Sequence, residues 1–135
     1  MLAVSTRMNP MIFVKKIFKV IVFGFSTSSS AATLPLNVET TTKELGVDKQ
    51  VASFVLPLGM TINMDGTAIM QVVATLFLAG VGFTGEAVMM GYALILAINR
   101  PIEMLVTSLN CVGDSVAAVA VAKSEGKLDE NVFNS

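Results

Sequence analysis

Two carboxylates and a run of hydroxyls carry the chemistry available to this chain. Asp65 lies in the stretch LPLGMTINMDGT, residues 56–67, and is the only charged residue between Val51 and Gly85. An ionised carboxylate inside an apolar run is costly unless a cation or polar group receives it. Gly59 and Gly66 bracket it, with Pro57, Thr61 and Asn63 close by. Glycine and proline loosen a helix and free carbonyls, while Asn63 and Asp65 add side-chain oxygens. Hard oxygen ligands from an interrupted helix suit a small desolvated cation. On this segment alone, a buried structural aspartate in a soluble core is the alternative.

The second carboxylate, Asp114, closes a polar series: Asn99, Glu103, Thr107, Asn110 and Asp114 follow one another at spacings of 4, 4, 3 and 4. That spacing puts them all on one helical face, opposite Leu, Val, Ile, Met and Ala. On a soluble helix such a stripe meets solvent. On an apolar helix in a membrane it faces a bundle interior or a substrate path. The hydroxyls are Ser26 to Ser30 in FSTSSSAATLPL. Their side chains compete for backbone groups and make a poor helix interior. They read as a flexible linker or, between two apolar arms and before Leu34-Pro35, as the tip of a hairpin. At such a tip they can bind a carboxylate at the start of the next helix.

Composition sets the surroundings of these groups. The 135 residues are 53% hydrophobic and 14% charged, against roughly 25% charged in soluble domains, and mean hydropathy is +0.73. A net charge of −1 leaves no basic surplus for phosphates, so no nucleic-acid partner is expected. Lone Cys111 and the lack of histidine argue against an internal disulfide, a zinc site and a hydrolytic triad. Nothing indicates an enzyme, and no organic cofactor is expected. The start, MLAVSTRMNP, lacks a signal-peptide pattern.

Residues 11–25 are apolar at helical spacing (Phe13, Val14, Ile17, Phe18, Ile21, Val22, Phe25) but too short to span. They read as an interfacial helix or one arm of a re-entrant hairpin. Residues 37–50 read as a wet return at the membrane surface. Residues 51–85 would run about 50 Å as one helix against a hydrocarbon core of about 30 Å, so unwinding at Thr61–Gly66 is expected. Residues 87–122 form the last apolar run, and the tail KSEGKLDENVFNS is expected to fray into solvent.

The stretches STSSSAATLPL, FVLPLGMTINMDGTA and N-C-V-G-D-S together resemble the C-terminal core of the dicarboxylate/amino acid:cation symporters, from about residue 8 to residue 128. The resemblance implies an all-α membrane fold: a re-entrant helical hairpin followed by two transmembrane helices, the first unwound in its middle. It implies a single partial transport domain over 1–135, with the hairpin at 11–45, the broken helix at 51–83, the last helix at 90–122 and a polar tail at 123–135. By motif position, sodium would meet backbone oxygens of Gly59, Asn63 and Asn110 with the Asp114 carboxylate. A second sodium would meet the Asn63 and Asp65 side chains, and a third the Thr61 carbonyl. Substrate would contact Ser28, Ser29, Ser30, Thr67, Glu103, Thr107 and Asn110.

Departures from the family pattern shape the expected function. Glu103 replaces the aspartate that holds the substrate ammonium, and Val106 replaces the arginine that grips an acidic side chain. Without that fork, bidentate carboxylate recognition is lost, leaving neutral amino acids or another organic acid. Only a few residues separate Phe83 from Met90, where the family has a second re-entrant hairpin. The expectation is a truncated sodium-coupled symporter of a dicarboxylate or amino acid, multi-pass in the cell (inner or plasma) membrane. Its partners would be lipid and a small organic acid or amino acid, with a homotrimer or another chain supplying the missing helices. An inactive gene remnant and an accessory membrane subunit completed by a partner are the alternatives. Lys15, Lys16, Lys19, Lys43, Lys49, Lys123 and Lys127 would share the cytoplasmic side. Arg100 is the exception, and could pair with Glu103.

Overall fold

A computed structural model describes residues 8–135, so the reading of the first seven residues lies outside it. The described residues form α1 (Pro10–Thr27), α2 (Ser30–Lys43), α3 (Lys49–Gly80), α4 (Glu86–Ser124) and the short α5 (Glu130–Asn134). Helix starts follow local chemistry. Asn9, Ser29, Asp48 and Asp129 cap α1, α2, α3 and α5 with side-chain oxygens that accept N–H groups of the first turn.

α1 and α2 run antiparallel and meet at Ser28-Ser29. The hydroxyl run ends one helix and starts the next: Ser28 takes a left-handed φ of 49°, and the Ser29 Oγ accepts from Ala32 N at 3.2 Å. Ser28 is the one described non-glycine residue with positive φ. The α1 core stripe is Phe13, Ile17, Val20 and Gly24, with Val14, Phe18, Val22 and Phe25 left exposed.

α3 and α4 pair antiparallel through a turn at 81–85, where Gly82 (φ 91°) and Gly85 (φ 58°) adopt conformations that suit glycine. Both helices are long and apolar enough to cross a membrane, yet only 6% and 33% of their most apolar stretches are buried. Ile62, Ile69, Leu76, Phe77, Met90, Leu94 and Ile98 lie in the open. A soluble core helix would bury these side chains, whereas hydrocarbon is a neutral medium for them.

The packed core lies at the other end, where the base of the α1–α2 pair, the start of α3 and the end of α4 converge around Ile17, Leu45, Leu56, Val119 and Phe133. α2 binds α4 through a polar seam. The Asn37 amide donates to the Cys111 carbonyl (3.3 Å) while its Oδ1 accepts from Ser115 Oγ (2.7 Å) and Thr41 Oγ1 (3.3 Å).

Three expectations are corrected. The first concerns the expected break in residues 51–83. α3 does not unwind at Thr61–Gly66 but runs unbroken from Lys49 to Gly80. An intact helix satisfies its N–H and C=O groups internally, whereas a break orphans several at each new end. Against that, glycine costs only about 1 kcal/mol. The second concerns the stretch 37–50, read as wet: α2 continues to Lys43, and Asn37, Thr40 and Thr41 are buried, their polar groups satisfied in the seam and by backbone carbonyls.

The third concerns the tail 123–135, which is folded. Phe133 is fully buried, Val47 bridges Leu128, Asp48 N and Lys127 O are bonded at 3.0 Å, and Lys16 Nζ donates to the Val132 carbonyl at 2.6 Å. Three apolar residues, Leu128, Val132 and Phe133, are too few to register as a periodic pattern, but one buried aromatic ring anchors a short segment.

Candidate functional site

The cleft follows from helix lengths. At about 1.5 Å per residue, α1 and α2 reach only part of the way along the longer α3–α4 pair. Their Ser28-Ser29 joint therefore ends between those helices, partway up. Above it lies a cleft of about 690 Å³.

Ser28, Ser29 and Ser30 form its base, Asn63 and Thr67 line it from α3, and Glu103, Thr107 and Asn110 from α4. The substrate set read from the sequence is thus gathered into one space. On α3, Asn63, Thr67 and Gln71 recur every fourth residue and face the α4 stripe, as a continuous helix requires. Gln71 was not singled out from the sequence, although its spacing from Asn63 and Thr67 carries the signal. Val106 lines the same cleft, so the position expected to lack a guanidinium does face the site.

At the top of the α4 stripe, Glu103 is held by its own helix. Asn99 Nδ2 donates to Oε1 at 3.1 Å, and Arg100 NH1 donates to Oε2 at 3.0 Å. Lower down, Asn63 Nδ2 donates to both oxygens of Asp114, at 3.1 and 3.3 Å. Asp114 packs so closely on Gly59 that a Cβ there would overlap its carboxylate, lying only 2.7 Å from Cγ. That contact explains a glycine inside α3. No ion pair to Asp114 is formed among the described residues, and no cluster of three His, Cys, Asp or Glu side chains is found among them.

The proposed sodium ligands divide. Gly59, Asn63 and Asp114 are brought together, with Asn110 one turn away on α4. The pairing of Asn63 with Asp65 is not formed: two residues along a helix are about 200° apart, and Asp65 is exposed. Thr61 is also exposed, its Oγ1 donating to the Pro57 carbonyl at 2.9 Å. Both placements have one cause, the unbroken backbone of α3. The Asn37–Ser115 seam beneath Asn110 and Asp114 was not foreseen, because a polar contact across 78 positions leaves no local pattern.

The sequence profile of the sodium:dicarboxylate symporter family matches residues 1–85. An excitatory amino acid transporter of Caenorhabditis elegans is 46% identical over 76 residues, which are 56% of this chain and 15% of that protein. Human excitatory amino acid transporter 2 is 49% identical over 76 residues, 56% of this chain and 13% of its own length. Human excitatory amino acid transporter 5 is 43% identical over 76 residues. The aligned segment therefore spans about one seventh of each relative's length. With the profile covering more than half of it, the chain belongs to the sodium:dicarboxylate symporter family.

Proposed function

We propose that residues 8–135 form part of the transport core of a sodium-coupled membrane carrier for a dicarboxylate or amino acid. The observation that carries this reading is the cleft in which the Ser28–Ser30 joint meets the polar faces of α3 and α4. In the bilayer, α1 and α2 are a re-entrant hairpin that enters and leaves on the lysine-bearing side, and α3 and α4 cross. The substrate lies over Ser28, Ser29 and Ser30, with Thr67, Glu103, Thr107 and Asn110 around it. One sodium, a co-substrate, sits at Asp114 beside Gly59 and Asn63. Cation and substrate then share the α4 stripe, so each preorganises side chains the other uses. The reading involves binding and movement, with no covalent step.

The exposed apolar faces of α3 and α4 favour further helices beside them, from the same assembly or a partner, with lipid covering the remainder. The test is sodium-dependent thermal stabilisation of the purified chain in detergent. At a sodium concentration ten times Kd the gain is about 1.4 kcal/mol, and Asp114→Asn should remove it. An equal gain in choline chloride, or one unchanged in Asp114→Asn, would refute this assignment of the sodium site.

A further inference from the structure

We propose that Asn37 is a positioning residue for the cation site: from α2 it fixes the rotation and height of α4, and so keeps Asp114 against Gly59 and Asn63. The inference rests on the reading of Asp114 as the sodium site and goes beyond it, because Asn37 belongs to no ligand set and lies outside the cleft lining.

α4 carries two stripes side by side. Thr107, Asn110 and Asp114 make up the lower part of its polar face, and the residue after each of them, Ser108, Cys111 and Ser115, is buried. Successive residues lie about 100° apart around a helix, so the second stripe turns toward α1 and α2 while the first turns toward α3 and the cleft. Ser108 Oγ donates to the Ile21 carbonyl of α1 at 3.1 Å. Asn37 takes the other two positions at once. Its Nδ2 donates to the Cys111 carbonyl at 3.3 Å, and its Oδ1 accepts from Ser115 Oγ at 2.7 Å. One amide thus spans a full turn of α4, and Thr41 Oγ1 braces it from α2 itself, donating to Oδ1 at 3.3 Å. Asn37, Thr41, Cys111 and Ser115 are all buried, where such bonds are stronger than in water.

The cation site needs this anchor because its own contacts are the ones that binding must rearrange. Asp114 is held to α3 by Asn63 Nδ2, which donates to both carboxylate oxygens. A sodium ion bound there takes those same oxygens, and an amide N–H repels it, so Asn63 must turn. While it turns, its bonds no longer fix α4. The Asn37 contacts touch no proposed ligand atom and persist. A rotation of α4 that carried Asp114 off Gly59 would have to break them first. Asn37 therefore keeps the site formed while it is empty and while it fills, which lowers the ordering cost of cation binding.

The probe is sodium chloride, exchanged against choline chloride at constant ionic strength with the purified chain in detergent, and Kd is taken from the thermal shift. That Kd belongs to the folded state and is separable from overall stability. Asn37→Ala should weaken sodium binding about 10- to 100-fold, as loss of an outer contact to a metal site does. Ser115→Ala, which removes one of the two grips on α4, should weaken it about 2- to 10-fold. The double variant should bind no more weakly than Asn37→Ala alone, because the two side chains share one contact. Phe133→Ala controls for a merely structural role: it loosens the base of the helices and should leave Kd within about twofold. If Asn37→Ala does not fold, Ser115→Ala decides alone. A wild-type Kd in the deciding variant, additive losses in the double variant, or an equal loss in Phe133→Ala overturns the role of Asn37 and leaves the sodium site in place. If wild type shows no sodium-dependent shift, the sodium reading of Asp114 fails and this inference fails with it.

Discussion

Gly59 and Gly66 flank the same motif, yet replacing each with alanine should act in opposite directions. Both lie within the continuous helix α3, and neither has a positive φ. Alanine in a helix interior gains about 1 kcal/mol over glycine. At Gly66 nothing lies within 4 Å of the added Cβ, so Gly66→Ala should stabilise the chain by about 0.5–1 kcal/mol. At Gly59 the added carbon overlaps the Asp114 carboxylate. Asp114 must turn away, at an overpacking cost of about 1–3 kcal/mol, and forfeits the two Asn63 contacts at 3.1 and 3.3 Å. Those hydrogen bonds to a carboxylate contribute about 1.5–3 kcal/mol. After the helix gain is subtracted, Gly59→Ala should destabilise by about 1.5–5 kcal/mol. The two variants would then differ by about 2–6 kcal/mol. With no Trp in the chain, far-ultraviolet circular dichroism during thermal or denaturant unfolding is the assay. Loss of stability in Gly66→Ala comparable to Gly59→Ala would show that the motif is not helical. A neutral Gly59→Ala would show that Asp114 does not pack there.

Two further substitutions test other parts of the fold. Ser28→Gly should relieve the left-handed φ of 49° and stabilise by about 1 kcal/mol in the same unfolding assay, while a loss would place the Ser28 side chain among the groups that hold the joint. Phe133→Ala should cost about 3–5 kcal/mol, since the ring is fully buried, and should speed hydrogen exchange in residues 125–135 first; an unchanged melting temperature would mean that the tail does not clasp the base of the helices.

Much of this site was legible in the sequence because its chemistry repeats at helical spacing. The 4, 4, 3, 4 run from Asn99 to Asp114 defines one face whatever that face meets, and a cluster of hydroxyls between apolar arms marks where a helix stops. Asp65 shows the limit of such reasoning. Two glycines and a proline around a lone carboxylate argue for an unwound segment, yet each glycine costs a helix only about 1 kcal/mol, Pro57 is carried inside α3 despite its larger cost of about 3 kcal/mol, and satisfying the other backbone groups internally outweighs them. That balance decides whether Asp65 points with Asn63 or away from it, and spacing alone cannot strike it. Contacts between distant segments had no sequence signal either. Asn37 meets Ser115, Phe133 fills the base beside Lys16, and Asp114 settles on Gly59 because packing brings together residues far apart in the chain. The sequence by itself determined which side chains share a face and which helices are apolar enough to cross a membrane. Tertiary structure decided which faces meet, because burial and hydrogen-bond satisfaction are settled only when every helix has its neighbours.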